Sequence, residues 1–213
     1  MITRRRLLET MAVGSALAVA GGLGLAPAMA QTVSAQDLAE AGPLGDVTLG
    51  DKSAKVHVIE YASLTCSHCA DFHNNTFPEF KKKYIDTGKV RFTLREFPLD
   101  PLAAGGFVLA RCEGNDKYYP VTDLLFSRQN DWAATDKPLD GLVNLLRQAG
   151  FTREKVESCL ADQKLLDGVN AVRERAQKLG VGSTPTFFIN GKMVRGALSM
   201  SDLDKELKPL LGE

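Results

Sequence analysis

A β-branched run, Val56-His57-Val58-Ile59-Glu60-Tyr61-Ala62, leads after three residues into Cys66-Ser67-His68-Cys69. The run reads as a strand. A helix is expected from Cys66 to about Tyr84, with Pro78 as a kink or break. Val90 to Phe97 then alternates Val90, Phe92 and Leu94 against Arg91, Thr93 and Arg95, the period of a second strand, which Pro98 and Pro101 stop. Strands joined across a helix pair in parallel. This one segment commits the chain to an α/β architecture.

The rest of the chain completes that frame. From about Leu99 to Val181 apolar residues recur at helical spacing. Leu142, Val143, Leu145 and Leu146 form one face that Gly150 can close, and Leu165, Val169, Val172, Ala176 and Leu179 form another that ends at Gly180. Thr186-Phe187-Phe188-Ile189 and Lys192-Met193-Val194 flank Asn190-Gly191, a hairpin signal because both turn residues tolerate positive φ. Ser199 to Leu211 reads as a closing helix capped by Ser199 or Ser201. Residues 31–54 carry Gly42, Pro43, Gly45 and Gly50 and read as a lead-in arm. The helical block, residues 99–181, is therefore expected as an insertion between residues 55–98 and 182–213 of one α/β unit.

Arg4, Arg5 and Arg6 precede an apolar run that ends in Ala28-Met29-Ala30. This pattern, residues 1–30, reads as a signal peptide cut before Gln31. Gly14, Gly21, Gly22, Gly24 and Pro27 weaken the alternative, a retained membrane anchor. Thr3-Arg4-Arg5-Arg6-Leu7-Leu8 also has the form of a twin-arginine export signal, although a general secretory signal would show basic residues here too. The remainder holds 23 basic and 25 acidic residues, a near-neutral chain with no basic footprint for nucleic acid. Export places it where disulfides persist.

The position of the C-x-x-C decides its chemistry. A thiolate at a helix N-terminus meets unpaired backbone N–H groups and the positive end of the helix dipole. Cys66 is thus expected as the exposed sulfur of low pKa, aided by His68 if that ring is protonated. Cys69, one turn further in, is expected to be buried, protonated and able to resolve a mixed disulfide. Stabilising the thiolate stabilises the reduced form, which makes the disulfide the stronger oxidant. An inert structural disulfide fits that position poorly. Zinc lacks a second C-x-x-C, and haem attachment needs a His where Ala70 stands. Copper remains as a rival from a different class, through Cys66, Cys69, His68 and His73.

Thr184-Pro185 stands just before the second β-rich segment, where a proline suits a strand start. A cis bond there would free the Thr184 backbone to pair with an incoming peptide beside Cys66. A plain loop proline fits the sequence equally well.

With these residues in order, the chain resembles the DsbA-type thiol-disulfide oxidoreductases of the thioredoxin superfamily. The pieces are Val58-Ile59-Glu60-Tyr61-Ala62 ahead of Cys66-Ser67-His68-Cys69, the helical insertion, and Gly182-Ser183-Thr184-Pro185-Thr186-Phe187-Phe188-Ile189-Asn190-Gly191. They frame nearly all of residues 50–213. The resemblance implies a thioredoxin fold with an inserted helical domain, Cys66 as nucleophile and leaving group, Cys69 as resolving cysteine and Pro185 as a cis-proline. It also implies that Glu60 is a partly buried carboxylate that relays the proton of Cys69; a surface ion pair is its bland alternative. A quinone-linked membrane reoxidant of the DsbB kind is a further implication. Ser67 departs from the Pro often found in the best-studied oxidases, and Thr184 also occurs in related isomerases. Isomerases of the DsbC kind carry a separate dimerisation domain, for which residues 31–54 are too few.

Cys112 and Cys159 lie on apolar helical faces of the insertion. A structural disulfide between them is expected over two separate buried thiols, because that pairing leaves Cys66–Cys69 as the active disulfide. The expected protein is a monomeric periplasmic dithiol oxidase, free of metal and cofactor, acting on unfolded or reduced exported proteins. Isomerase or reductase activity is the rival within the same class.

Overall fold

The computed structural model describes residues 32–213. The expected signal peptide and its cleavage site lie outside the described residues. Five strands form one mixed sheet: β1 (Thr48–Leu49), β2 (Val56–Ala62), β3 (Val90–Glu96), β4 (Thr186–Ile189) and β5 (Lys192–Arg195), in the order β1-β3-β2-β4-β5. The helices are α1 (Ala35–Ala39), α2 (Ser67–Asp71), α3 (Phe77–Phe80), α4 (Pro101–Cys112), α5 (Asn115–Ser127), α6 (Gln129–Ala133), α7 (Pro138–Leu146), α8 (Arg153–Leu160), α9 (Gln163–Lys178) and α10 (Met200–Leu211).

β2 is buried on both faces, as a central strand with a continuous apolar composition must be. It runs parallel to β3 in register from Val56↔Val90 to Ala62↔Glu96, and antiparallel to β4 from Val58↔Ile189 to Tyr61↔Thr186. The β4–β5 hairpin turns at Asn190 (φ 46°) and Gly191 (φ 91°), both left-handed as its two-residue loop requires. Ser199 caps α10 through a full capping box with Asp202.

Between α2 and β3 the helix neither breaks nor kinks out at Pro78. Instead π-helical turns at Phe72–Thr76 and Lys81–Ile85 flank α3, and Pro78 sits in the first turn of α3, where a missing N–H costs little.

The arm does more than lead in. Residues 48–49 pair with β3 as an edge strand, and Asp46 grips Arg95 with both carboxylate oxygens, at 2.8 and 2.7 Å. Arg95 also donates to the Tyr61 hydroxyl at 2.9 Å and to the Leu38 carbonyl at 2.7 Å. The alternation of β3 points Arg95 toward a polar face, yet it is 1% exposed because the arm and α9 cover that face.

Every element between β3 and β4 is a helix. Asp100 caps α4 by accepting from Ala103 N–H at 2.8 Å. Gly106 of α4 lies so close to the turn before Cys66 that a Cβ there would come within 2.8 Å of Leu64 Cδ1. Trp132 closes the interior of the block, donating to the Leu125 carbonyl at 2.9 Å. Cys112 and Cys159 are joined as a disulfide that ties the end of α4 to α8. The helical block thus packs directly behind the turn that carries Cys66, which fixes one wall of the site.

Candidate active site

Cys66 is the N-cap of α2, with extended backbone (φ −80°, ψ 119°), so its side chain projects across the open first turn. It is partly exposed, whereas Cys69 is fully buried, and both are free thiols in this structure. The Cys66 thiol is held down at about 5, first by a hydrogen bond from the Cys69 thiol. Burial opposes this; the Thr184 side chain and the backbone N–H groups of Cys69 and His68 add to it. The Thr184 hydroxyl is buried without a hydrogen-bond partner, so it is available to a sulfur anion. Burial pushes the Cys69 thiol far up, and the neighbouring Cys66 and Glu60 act in the same direction. The two shifts have one origin: the buried sulfur keeps the proton and donates it to the exposed one.

Helix α2 supplies this asymmetry, and the loop before β4 completes it. The Thr184-Pro185 bond is cis. Cys66 Sγ lies 3.5 Å from the Thr184 carbonyl oxygen, which accepts the thiol proton in the neutral form. His68 is exposed, and its backbone N–H is among the groups that hold the Cys66 thiol down.

Below Cys69 lies a second buried cluster. Glu60 is 0% exposed, and its Oε2 is 2.9 Å from His73 Nε2. Glu60 is therefore no surface carboxylate. Glu60 Oε1 and His73 Nδ1 are both buried without a hydrogen-bond partner. The His73 ring stacks on Phe126 of α5, with centroids 4.2 Å apart and planes 12° apart. His73 thus faces a carboxylate and an aromatic ring. Among the described residues no group of three His, Cys, Asp or Glu side chains is arranged to hold a metal ion.

Two contributors escaped sequence reasoning. Gln129 of α6 donates to the Leu64 and Cys66 carbonyls at 2.7 and 3.1 Å, pinning the turn that presents the nucleophile. Nothing local marks it, because it arrives from 63 residues away. The pairing of His73 with Glu60 was also missed, although His73 follows Cys69 by four residues, a spacing that puts both on one helical face.

The family described as Thioredoxin matches residues 44–209. The crystal structure of Wolbachia pipientis alpha-DsbA1 aligns at 30% identity with a TM-score of 0.75, covering 83% of this chain and 96% of that one. BdbD from Bacillus subtilis, in its oxidised form, shares the fold with a TM-score of 0.72 at 21% identity, covering 86% of this chain and 100% of that one. A Rickettsia bellii protein bearing a protein-disulfide oxidoreductase name is 36% identical over 151 residues, 68% of this chain and 57% of its own length. The chain spans little more than half the length of these rickettsial relatives.

Proposed function

The chain belongs to the thioredoxin family, in its DsbA-type branch, and from that premise we propose that it is an exported thiol-disulfide oxidoreductase working mainly as a dithiol oxidase. One observation carries the reading: an exposed sulfur of depressed pKa and a buried sulfur of raised pKa share a single helical turn.

In the oxidised protein a substrate thiolate attacks Cys66 Sγ. The Cys66–Cys69 bond breaks, its electron pair goes to Cys69, and Cys69 takes up a proton. Glu60, whose free oxygen is buried on this side of the sheet, is the group that passes that proton, with His73 holding its other oxygen. A second substrate thiolate then attacks the substrate sulfur of the mixed disulfide and expels Cys66 as a thiolate. Two electrons move to the protein, and the substrate leaves with a disulfide. Cys66 departs readily because its anion is stabilised, and that stabilisation drives transfer toward the substrate. The Thr184 carbonyl offers the approaching chain a backbone acceptor beside the sulfur.

Reduced proteins outside the cytoplasm are the substrates that fit this chemistry, in the periplasm if the N-terminal segment works as an export signal. A quinone-linked membrane protein of the DsbB kind is the proposed reoxidant. The reaction needs two sulfurs and no cofactor, and the protein is proposed to act as a monomer.

Expressing Cys69→Ala in cells tests this reading, because adducts with substrates then persist at Cys66. Equilibration with glutathione gives the direction. A potential well above the roughly −270 mV of thioredoxin is expected; one as low as thioredoxin's would rule out the oxidase.

A further inference from the structure

Side chains of β2 alternate between the two faces of the sheet. Val56, Val58 and Ala62 join the core under the active-site helix, whereas Ile59 and Tyr61 join a smaller core on the opposite face. That second face is covered at its Tyr61 end by Val172 and Ala176 of α9 and by Leu38 of α1. α1 is only five residues long, and Ala35, Leu38 and Ala39 border the rest of that face without filling it. A cavity of about 390 Å³ opens there, with Leu38, Ile59, Phe188, Lys55, His57 and Arg91 in its wall.

The polar groups of this cavity divide sharply into spent and free. Asp46 has given both oxygens to Arg95. The Asn190 amide accepts from His57 N–H at 2.8 Å and donates to the Lys55 carbonyl at 3.2 Å. Thr48 and Thr93 bond one another at 2.7 Å, and Thr93 takes His57 Nε2 at 2.9 Å. What remains is cationic. Arg91 Nε is buried with no hydrogen-bond partner, and among the described residues no carboxylate holds Arg91 or Lys55. Burial, and then the charge of Arg91, push the His57 imidazole down to about 4, so at neutral pH the ring adds no charge of its own.

We propose that this cavity is a binding site for a small organic carboxylate, held by Arg91 and Lys55 with its apolar body against Leu38, Ile59 and Phe188. A guanidinium offers a planar fork that matches a carboxylate, and an unpaired buried N–H is satisfied when one arrives. The apolar floor favours an organic acid over an inorganic anion, which would leave that surface wet. The site lies across the sheet from Cys66, and ligand binding there is independent of the redox chemistry.

The test is an NMR titration of the purified protein, following the ring signals of His57 and using His68 as an internal control. The probes are hexanoate and, separately, inorganic phosphate. Hexanoate is expected to shift His57 saturably and leave His68 unmoved. Arg91→Gln is expected to weaken binding at least tenfold; Lys55→Gln, at an exposed position that does not threaten folding, is expected to weaken it severalfold. Both variants should oxidise a model dithiol at the parent rate. No saturable shift with hexanoate would overturn the proposal. So would equal affinity in Lys55→Gln and the parent, or phosphate binding as tight as hexanoate, which would mark a bare anion spot.

Discussion

Oε2 of Glu60 sits 2.9 Å from Nε2 of His73, with both side chains shut away from solvent beneath the buried cysteine. A carboxylate placed centrally in β2 and an imidazole on the helix after Cys69 thereby share one contact, and each keeps a second polar atom without a partner. A buried polar pair of this kind is costly to break and cheap to replace as a whole. That asymmetry makes the pair testable.

Replacing His73 by Phe keeps the ring stack on Phe126 but strips the Glu60 carboxylate of its hydrogen-bond partner among the described residues. The variant should lose about 1–3 kcal/mol of stability, the cost of an unsatisfied buried acceptor. The double variant Glu60→Leu with His73→Phe should recover most of that loss. Urea denaturation of the reduced proteins measures both.

The negative charge of Glu60 also raises the Cys69 thiol, after burial and the hydrogen bond to Cys66. In a Cys66→Ala background, Glu60→Gln should lower the pH at which Cys69 ionises. Burial remains, so that pH should still exceed the ordinary thiol value. Thiolate absorbance at 240 nm against pH reads the difference.

Cys66 titrates at about 5 when folded and in the ordinary thiol range when unfolded. A depressed folded value contributes stability that is full above the unfolded pKa and is lost as pH falls through the folded one. The reduced protein should therefore gain on the oxidised protein in Tm from pH 5 upward, levelling off near pH 9, and the gap should be flat below pH 5. Cys66→Ser, which forms no active-site disulfide, should lack this rise in Tm when compared with the oxidised parent over the same pH range.

Gln129→Ala removes the two hydrogen bonds that hold the Leu64 and Cys66 carbonyls. A loss of about 1 kcal/mol is expected. Hydrogen exchange in the turn at residues 64–66 should speed up, and the alkylation pKa of Cys66 should rise as its geometry loosens.

The Cys112–Cys159 bridge spans 47 residues of the helical block. The Cys112→Ser, Cys159→Ser protein should be less stable by about 2–4 kcal/mol, through the entropy regained by the unfolded chain. It should still carry a low-pKa Cys66, because none of the groups acting on that sulfur belongs to the bridge. Thermal melts and alkylation against pH check the two statements separately.

The features legible in the chain were those set by neighbours in sequence. The β2 run, the C-x-x-C at a helix start, the Asn190-Gly191 hairpin and the Ser199 cap each rest on residues within a turn or two of one another. Local sterics and hydrogen bonding fix such elements before any docking. The depressed Cys66 rests largely on neighbours just as near, first the Cys69 thiol one turn away and then the N–H groups of the helix start.

What only the tertiary structure decided are the contacts made when distant segments meet. The Thr184 carbonyl reaches Cys66 across 118 positions, Asp46 buries Arg95 on a strand face that alternation marks as polar, and His73 pairs with Glu60 on the central strand. In each case several partners suit the residue type equally, and the packing of helix on sheet selects one. A pattern of side chains specifies which face is apolar; it does not specify what will cover that face.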